Sequence, residues 1–212
     1  GSNLIESKNA KNVITLASSH NLTAERQFRY PVEYGCPKKG TATCTLTACV
    51  SSLLSNEKTG IKVSGGLIGK VVNLGINDVN NMGAVMAPAC ADTIYTYLQN
   101  AHETVKDYDL ILTGDLGKVG LNILKEYYER VYNERLNKIM DAGDEIFLET
   151  SQYSGGSGPV CLPLVFFTKI LKNKKYKKIL LVGSGSLHNP TLVNQGKEIP
   201  AISHLVKIEV LS

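Results

Sequence analysis

The chain is 212 residues long, 43% hydrophobic and 20% charged, with 19 glycines and 7 prolines. That is enough apolar content for one large or two small packed domains, and it excludes a disordered or low-complexity chain. A net charge of +4 permits a mild preference for anionic partners but is no nucleic-acid footprint without a concentrated basic face.

The five cysteines, at 36, 44, 49, 90 and 161, include no CxxC pair. An odd count of this kind argues against a disulfide framework or a cysteine zinc site, and predicts reduced, mostly buried thiols in a soluble intracellular chain. No apolar run approaches a membrane span and no secretory signal opens the chain; Gly1 and Ser2 read as a cloning remnant.

In chain order, 12–17 (NVITLA) is apolar and β-rich between Lys11 and the pair Ser18-Ser19, the pattern of a buried strand in a layered α/β fold. The stretch that follows, 18–31 (SSHNLTAERQFRYP), packs His20, Glu25, Arg26, Gln27, Arg29 and Tyr30 together. It reads either as a loop knitted by its own ion pairs or as an anion site in which arginine forks hold carboxylate or phosphate. Gly35, Pro37 and Gly40 mark an irregular loop, and 41–54 (TATCTLTACVSSLL) reads as strand. After a turn at 56–60, the segment 61–72 is predicted as a strand in which Gly65, Gly66 and Gly69 mark a bulge. Residues 73–83 read as loop, and Pro88 is placed in the first turn of a helix running through Leu98.

The run 108–113 (YDLILT) ends in Gly114 and Asp115, which puts Asp115 at the carboxyl end of a buried strand, where open α/β sheets bind ligands. Residues 121–139 are predicted as one amphipathic helix, its pairs Glu126–Arg130 and Glu134–Lys138 lying on a solvated face. A short strand is expected at 146–149. Then 153–160 (YSGGSGPV) opens a helix to about Leu171. Its glycines suit either close packing or anion contact through backbone N–H groups, although neither P-loop nor dinucleotide spacing is present.

Lys169, Lys172, Lys174, Lys175, Lys177 and Lys178 crowd the end of that helix, as a solvated turn suited to the helix dipole or as a dock for anionic lipid heads. The remaining expectations are a strand at 179–182, a glycine-serine turn at 183–186 and a closing strand at 205–211. His102 and His204 read as surface or hydrogen-bonded structural histidines, because no partner ligands stand at metal spacing. The tyrosines at 95, 97, 127, 128 and 132 read as packing.

Two passages repeat one another. KNVITLASSHN from Lys11 and KKILLVGSGSLHN from Lys177 each run from a basic flank through an apolar strand and small residues to His-Asn. With Val13 set on Ile179 the offset is 166 residues, the size of a domain half. A duplication then implies that the chain begins inside the first unit, with something of the order of a hundred residues ahead of Asn3.

A duplicated α/β half with glycine-rich strand–helix junctions resembles the thiolase and ketoacyl-synthase superfamily. Within it, SSHNLTAERQFRYPVEYG, LILTGDLGKVG, GGSG and NPTLVNQGKEIPAISH resemble the stage V sporulation protein AD family of spore-forming Firmicutes. The resemblance implies an α/β, thiolase-like layered fold of mixed β-sheets with helices. Residues 1–58 would be the end of the N-terminal half and residues 59–212 the C-terminal half.

It also implies that acyl-transfer chemistry is lost. On this reading the segment that carries the superfamily's nucleophile is absent from the chain, and none of its five cysteines stands at the expected elbow of the first half; the loss is read from the second-half groups. Gly114-Asp115 replaces the superfamily's first histidine, and Gly155-Gly156-Ser157 lacks its later His or Asn; neither a carboxylate nor glycine supplies the missing side-chain donor to an oxyanion. The implied function is non-catalytic: binding of dipicolinic acid (pyridine-2,6-dicarboxylate) for its uptake into the spore, alongside membrane proteins of the same operon and peripheral to the spore inner membrane.

On this reading the ligand-binding candidates are Arg26, Arg29, His20, Asp115, Gly156 and Ser157, with no catalytic residue and no resident metal or cofactor. Calcium would arrive as the ligand's own chelate, since one Asp falls short of the six to eight oxygens such an ion takes. A homodimer and the preceding segment are the implied protein partners, and nucleic acid is not one. The competing readings are a degenerate condensing acyltransferase and a membrane-complex scaffold with a vestigial pocket.

Overall fold

A computed structural model describes residues 1–28, 39–147 and 153–211. The chain folds as helix α1 (Ser2–Glu6), strand β1 (Asn12–Ser19), helix α2 (Asn21–Phe28), strands β2 (Cys44–Thr45), β3 (Ala48–Ser55) and β4 (Ile61–Val72), then the long helix α3 (Met82–Ala101). It continues through β5 (Leu110–Thr113), α4 (Gly117–Tyr132), β6 (Ile139–Asp141), β7 (Gly156–Ser157), α5 (Cys161–Val165), β8 (Lys178–Ser186), α6 (Pro190–Asn194) and β9 (Ala201–Val210).

The main sheet has the order β4-β9-β8-β5-β6. Its β8, β5 and β6 run parallel, while β9 is antiparallel to both β4 and β8. Every residue of β5 is buried, as the continuous run LILT requires of a strand covered on both faces. Side chains alternate across it. Ile111, Leu180 and Val182 join the core under α3 and α4, whereas Leu110, Leu112 and Ile179 join a second core under α5. The fold is therefore three layers, with helices on both faces of one sheet. Where α3 crosses α4 the backbones nearly touch, for a Cβ on Gly83 would stand 2.7 Å from the Gly120 Cα.

The observed β4 matches the expected strand, and its ladder to β9 slips between Val63 and Gly65 and again between Ile68 and Val71, as the glycines suggested. The two passages that repeat one another in sequence also take similar local forms. β1 returns antiparallel as β3 and β8 returns antiparallel as β9, and each first strand passes through His-Asn into a short helix.

Several expectations are corrected. β1 is a strand but not a buried one: Ile14 and Leu16 are exposed, because its partner is the single strand β3 and α1 approaches only the Val13 and Thr15 side. The strand expected over 41–54 is broken into β2 and β3, since β2 leaves β1 to pair in parallel with β7. α3 starts six residues before Pro88, at an Asn81 cap whose side chain accepts the Ala84 N–H, so Pro88 lies inside a buried helix.

α4 stops at Asn133, which takes the left-handed conformation with φ 55°. Glu134 and Lys138 therefore never form a helical pair; Lys138 bonds the Tyr108 carbonyl and Arg135 turns back to Glu129. The strand expected at 146–149 lies instead at Ile139–Asp141, with Ile146 and Phe147 in a turn and 148–149 outside the described residues. The helix from Cys161 is observed, and its second half, Phe166–Ile170, winds as a π-turn. The supposed glycine-serine turn at 183–186 is the second half of β8, paired residue by residue with β9.

Candidate functional site

A cleft of about 320 Å³ opens at the carboxyl ends of β5 and β8. One wall is the turn before α5 and the helix itself, with Gly158, Pro159, Leu162 and Pro163; the other is β8 and β9, with Ser184, Ile202 and His204. Gly183 and Gly185 of β8 also line it, which explains glycine inside a paired strand: the missing side chains leave the space.

Asp115 lies in this lining, half-buried, where the sequence placed it. Its Oδ2 accepts the Gly158 N–H at 3.0 Å and its Oδ1 accepts the Ser184 hydroxyl at 3.1 Å. The carboxylate thus ties the glycine turn to β8 and is held in one orientation. Across the cleft, the His204 ring is exposed, and its Nδ1 accepts the Gly69 N–H at 3.2 Å from the bulged part of β4. In the neutral ring that leaves the proton on Nε2, making it a donor. The lining therefore sets an oriented acid and an imidazole donor among the apolar side chains of Pro159, Leu162, Pro163 and Ile202.

A second carboxylate beside the cleft has a different role. Asp141, at the end of β6, is buried and accepts the Thr113 hydroxyl (2.7 Å) and the N–H groups of Leu116 (3.0 Å), Gly117 (2.9 Å) and Asp144 (3.1 Å). Burial pushes its carboxyl up and the four donated bonds draw it back. It shapes the turn from β5 into α4 and so fixes the backbone on which Asp115 stands.

The other sequence candidates are placed as follows. His20 is exposed, outside the cleft lining, and its Nδ1 accepts from the Thr23 N–H (3.4 Å) and lies 3.0 Å from the Thr23 hydroxyl, as a cap of α2. The stretch from Asn21 is therefore a helix rather than a loop. Buried Glu25 anchors it by accepting the Thr45 N–H at 3.1 Å. Arg26 lies on α2 with its side chain outside the description, and Arg29 lies outside the described residues. Gly156 and Ser157 form buried β7 against β2, outside the cleft lining.

The glycine-rich turn spends N–H groups internally, Gly156 on the Gly143 carbonyl and Gly158 on Asp115, which disfavours the anion-contact reading of it. What it does provide is proximity. A Cβ on Gly158 would stand 3.0 Å from the Ser19 hydroxyl, so the end of β1 abuts the cleft wall.

Two lining residues escaped the sequence reading. Ser184 was assigned to a turn and His204 to structural use.

A protein-family model described as "Stage V sporulation protein AD (SpoVAD)" matches residues 1–209. This chain belongs to the stage V sporulation protein AD family. The stage V sporulation protein AD of Bacillus subtilis (strain 168) is 41% identical over 210 residues, covering 97% of this chain and 62% of that protein. The chain thus spans about three-fifths of this curated relative's length.

Among solved structures, 3-oxoacyl-[acyl-carrier-protein] synthase III from Aquifex aeolicus VF5 aligns with a TM-score of 0.55 at 14% identity, over 96% of this chain and 60% of that one. A tetronic acid condensing enzyme aligns with a TM-score of 0.58 at 11% identity, over 98% of this chain and 60% of that one. Xanthomonas campestris OleA with cerulenin gives 0.57 at 11%, over 98% and 57%. The fold is thiolase-like, and these structural neighbours are enzymes.

Proposed function

We propose that the chain is part of a non-catalytic, ligand-binding member of the thiolase-like fold. It takes pyridine-2,6-dicarboxylate as its calcium chelate, for uptake during sporulation. The observation that carries this reading is the cleft itself: Asp115 held by Gly158 and Ser184 on one side, the His204 donor on the other, and apolar walls between them. A bare dianion would meet the Asp115 carboxylate with like charge. A chelate turns its cation to Asp115 and a carboxylate to His204, with Arg26 and Arg29 as the further anion contacts that the sequence offers.

Calcium here is cargo. Among the described residues no cluster of three or more His, Cys, Asp or Glu could hold a metal by itself. What supports the loss of acyl-transfer chemistry is the residue set at the two strand–helix junctions, Gly114-Asp115 and Gly155-Gly156-Ser157, which carries neither the histidine nor the asparagine that would donate to an oxyanion. Cys161, below the glycine turn, is buried and its thiol is pushed up, first by desolvation and then by the Asp115 and Asp141 carboxylates, as a packing residue's would be.

The test is calorimetry of the full-length protein with the dicarboxylate, with and without calcium. The chelate should bind and the calcium-free acid should bind more weakly. Asp115→Asn should narrow that difference, and Arg26→Ala or Arg29→Ala should weaken both. Thioester turnover that Asp115→Asn abolishes would favour the condensing-enzyme reading instead.

A further inference from the structure

Six lysines fall between Lys169 and Lys178, a stretch without acidic residues or arginine. All six are exposed. A helix dipole accounts for Lys169 alone, because the helical segment ends at Ile170 and the effect does not reach beyond the last turn. The other five follow on a compact turn. Tyr176 donates its N–H to the Asn173 carbonyl (3.3 Å), the Asn173 side chain accepts the Lys175 N–H (3.3 Å), and Tyr176 packs against the core under α5. The Asp109 carboxylate accepts the backbone N–H groups of Lys177 and Lys178 at 2.8 and 2.9 Å, anchoring the turn to the start of β8.

The ammonium groups are left outward. Lys169 pairs with Glu145 at 3.6 Å, but among the described residues Lys172, Lys174, Lys175 and Lys177 make no ion pair. Phe167, on the same segment, is 37% exposed. The turn thus presents four ammonium groups that make no ion pair among the described residues, Lys175 lying 4.7 Å from the centroid of the Tyr176 ring, with exposed Phe167 five residues ahead of Lys172, a surface suited to negative charge.

We propose that the Lys172–Lys177 turn docks the protein on an anionic phospholipid bilayer, with Phe167 entering the headgroup layer. Lysines without arginine suit dispersed headgroup phosphates better than the bidentate contacts typical of nucleic-acid recognition, and a bilayer interface accepts an aromatic ring. The turn lies at the amino end of β8 and the cleft at its carboxyl half, with Lys178 to Ser184 separating them by roughly 20 Å of strand. A docked molecule therefore keeps the cleft open to water. The proposal does not depend on which ligand the cleft takes.

The experiment is sedimentation of the full-length protein with vesicles of phosphatidylcholine containing about a third phosphatidylglycerol, each basic residue near such a surface being worth roughly fivefold in partitioning. The wild type should sediment at low salt and release at high salt. Combined Lys172→Glu, Lys174→Glu, Lys175→Glu and Lys177→Glu should reduce partitioning at least a hundredfold with an unchanged melting temperature. Lys8→Glu, Lys11→Glu, Lys58→Glu and Lys62→Glu, the same change in net charge on exposed sites elsewhere, should not. An equal loss in this control set, equal sedimentation with pure phosphatidylcholine, or tighter binding to a DNA duplex than to the anionic vesicles would each overturn the proposal.

Discussion

Replacing Asp141 by Asn separates the acid that builds the turn from the acid that lines the cleft. Asp141 accepts four hydrogen bonds, two on each oxygen. An Asn oxygen can still receive Gly117 and Asp144. The amide nitrogen, however, faces the Leu116 N–H, a donor against a donor, while the Thr113 hydroxyl can keep its alternative bond to the Met140 carbonyl at 3.2 Å. One buried N–H is orphaned, at a cost of about 1–3 kcal/mol. Relief of a buried charge offsets part of this, so about 2 kcal/mol of destabilisation is expected, or a fall of about 4–8 °C in Tm for a chain of this size. Asp115→Asn should cost less than about 1 kcal/mol, because Ser184 can reverse its hydrogen bond to the amide. Thermal unfolding followed by circular dichroism reads both. Asp141→Asn within about 1 °C of wild type, or Asp115→Asn falling further than it, would refute the division of roles.

Thiol labelling under native conditions should modify exposed Cys49 rapidly and leave Cys90 and Cys161 until the protein unfolds, since burial pushes Cys90 up to about 12 and Cys161 up as well. Gly158→Ala should loosen the cleft: at φ +104° a side chain is strained, and its Cβ would press on Ser19. A loss of about 1–3 kcal/mol of stability, together with weaker ligand binding, is expected by denaturant unfolding and calorimetry.

At the opposite end of the sheet, Lys207 bonds Glu103 at 2.6 Å, and Tyr108 donates to the same carboxylate. That bond raises Lys207. In Glu103, partial burial pushes the carboxyl up, but the bonds from Lys207 and Tyr108 and the ammonium charge together carry it below its ordinary 4.5. The pair therefore contributes stability above pH 4.5 that is lost as pH falls through the lowered Glu103 value, and again as pH rises past the raised Lys207 value above 10.5. Glu103→Gln should cost about 2 kcal/mol at pH 7, and the difference from wild type should shrink in acid melts.

The core strands were legible because their burial is written locally. LILT followed by Gly-Asp reads as a doubly covered strand with an acid just past its carboxyl end, and Ile61–Val72 carries its bulge in its glycines. The second half of β8 was not legible, since GSGS has turn composition and becomes strand only because β9 lies alongside it. His204 escaped for the same reason: the partner of its Nδ1 is Gly69, 135 residues earlier. The end of α4 depends on one residue, Asn133, adopting a conformation that helix periodicity does not encode. In the α2 stretch the charges that looked like a loop network include Glu25, which is buried to hold β2, and only the folded chain reveals that pairing.

The most direct test of the proposed function is the structure of the full-length protein crystallised with calcium and pyridine-2,6-dicarboxylate. The ring should lie between Leu162 and Ile202, with the cation about 2.3–2.6 Å from an Asp115 oxygen and a carboxylate within hydrogen-bond reach of His204. A chelate bound elsewhere, with this cleft holding only water, would contradict it.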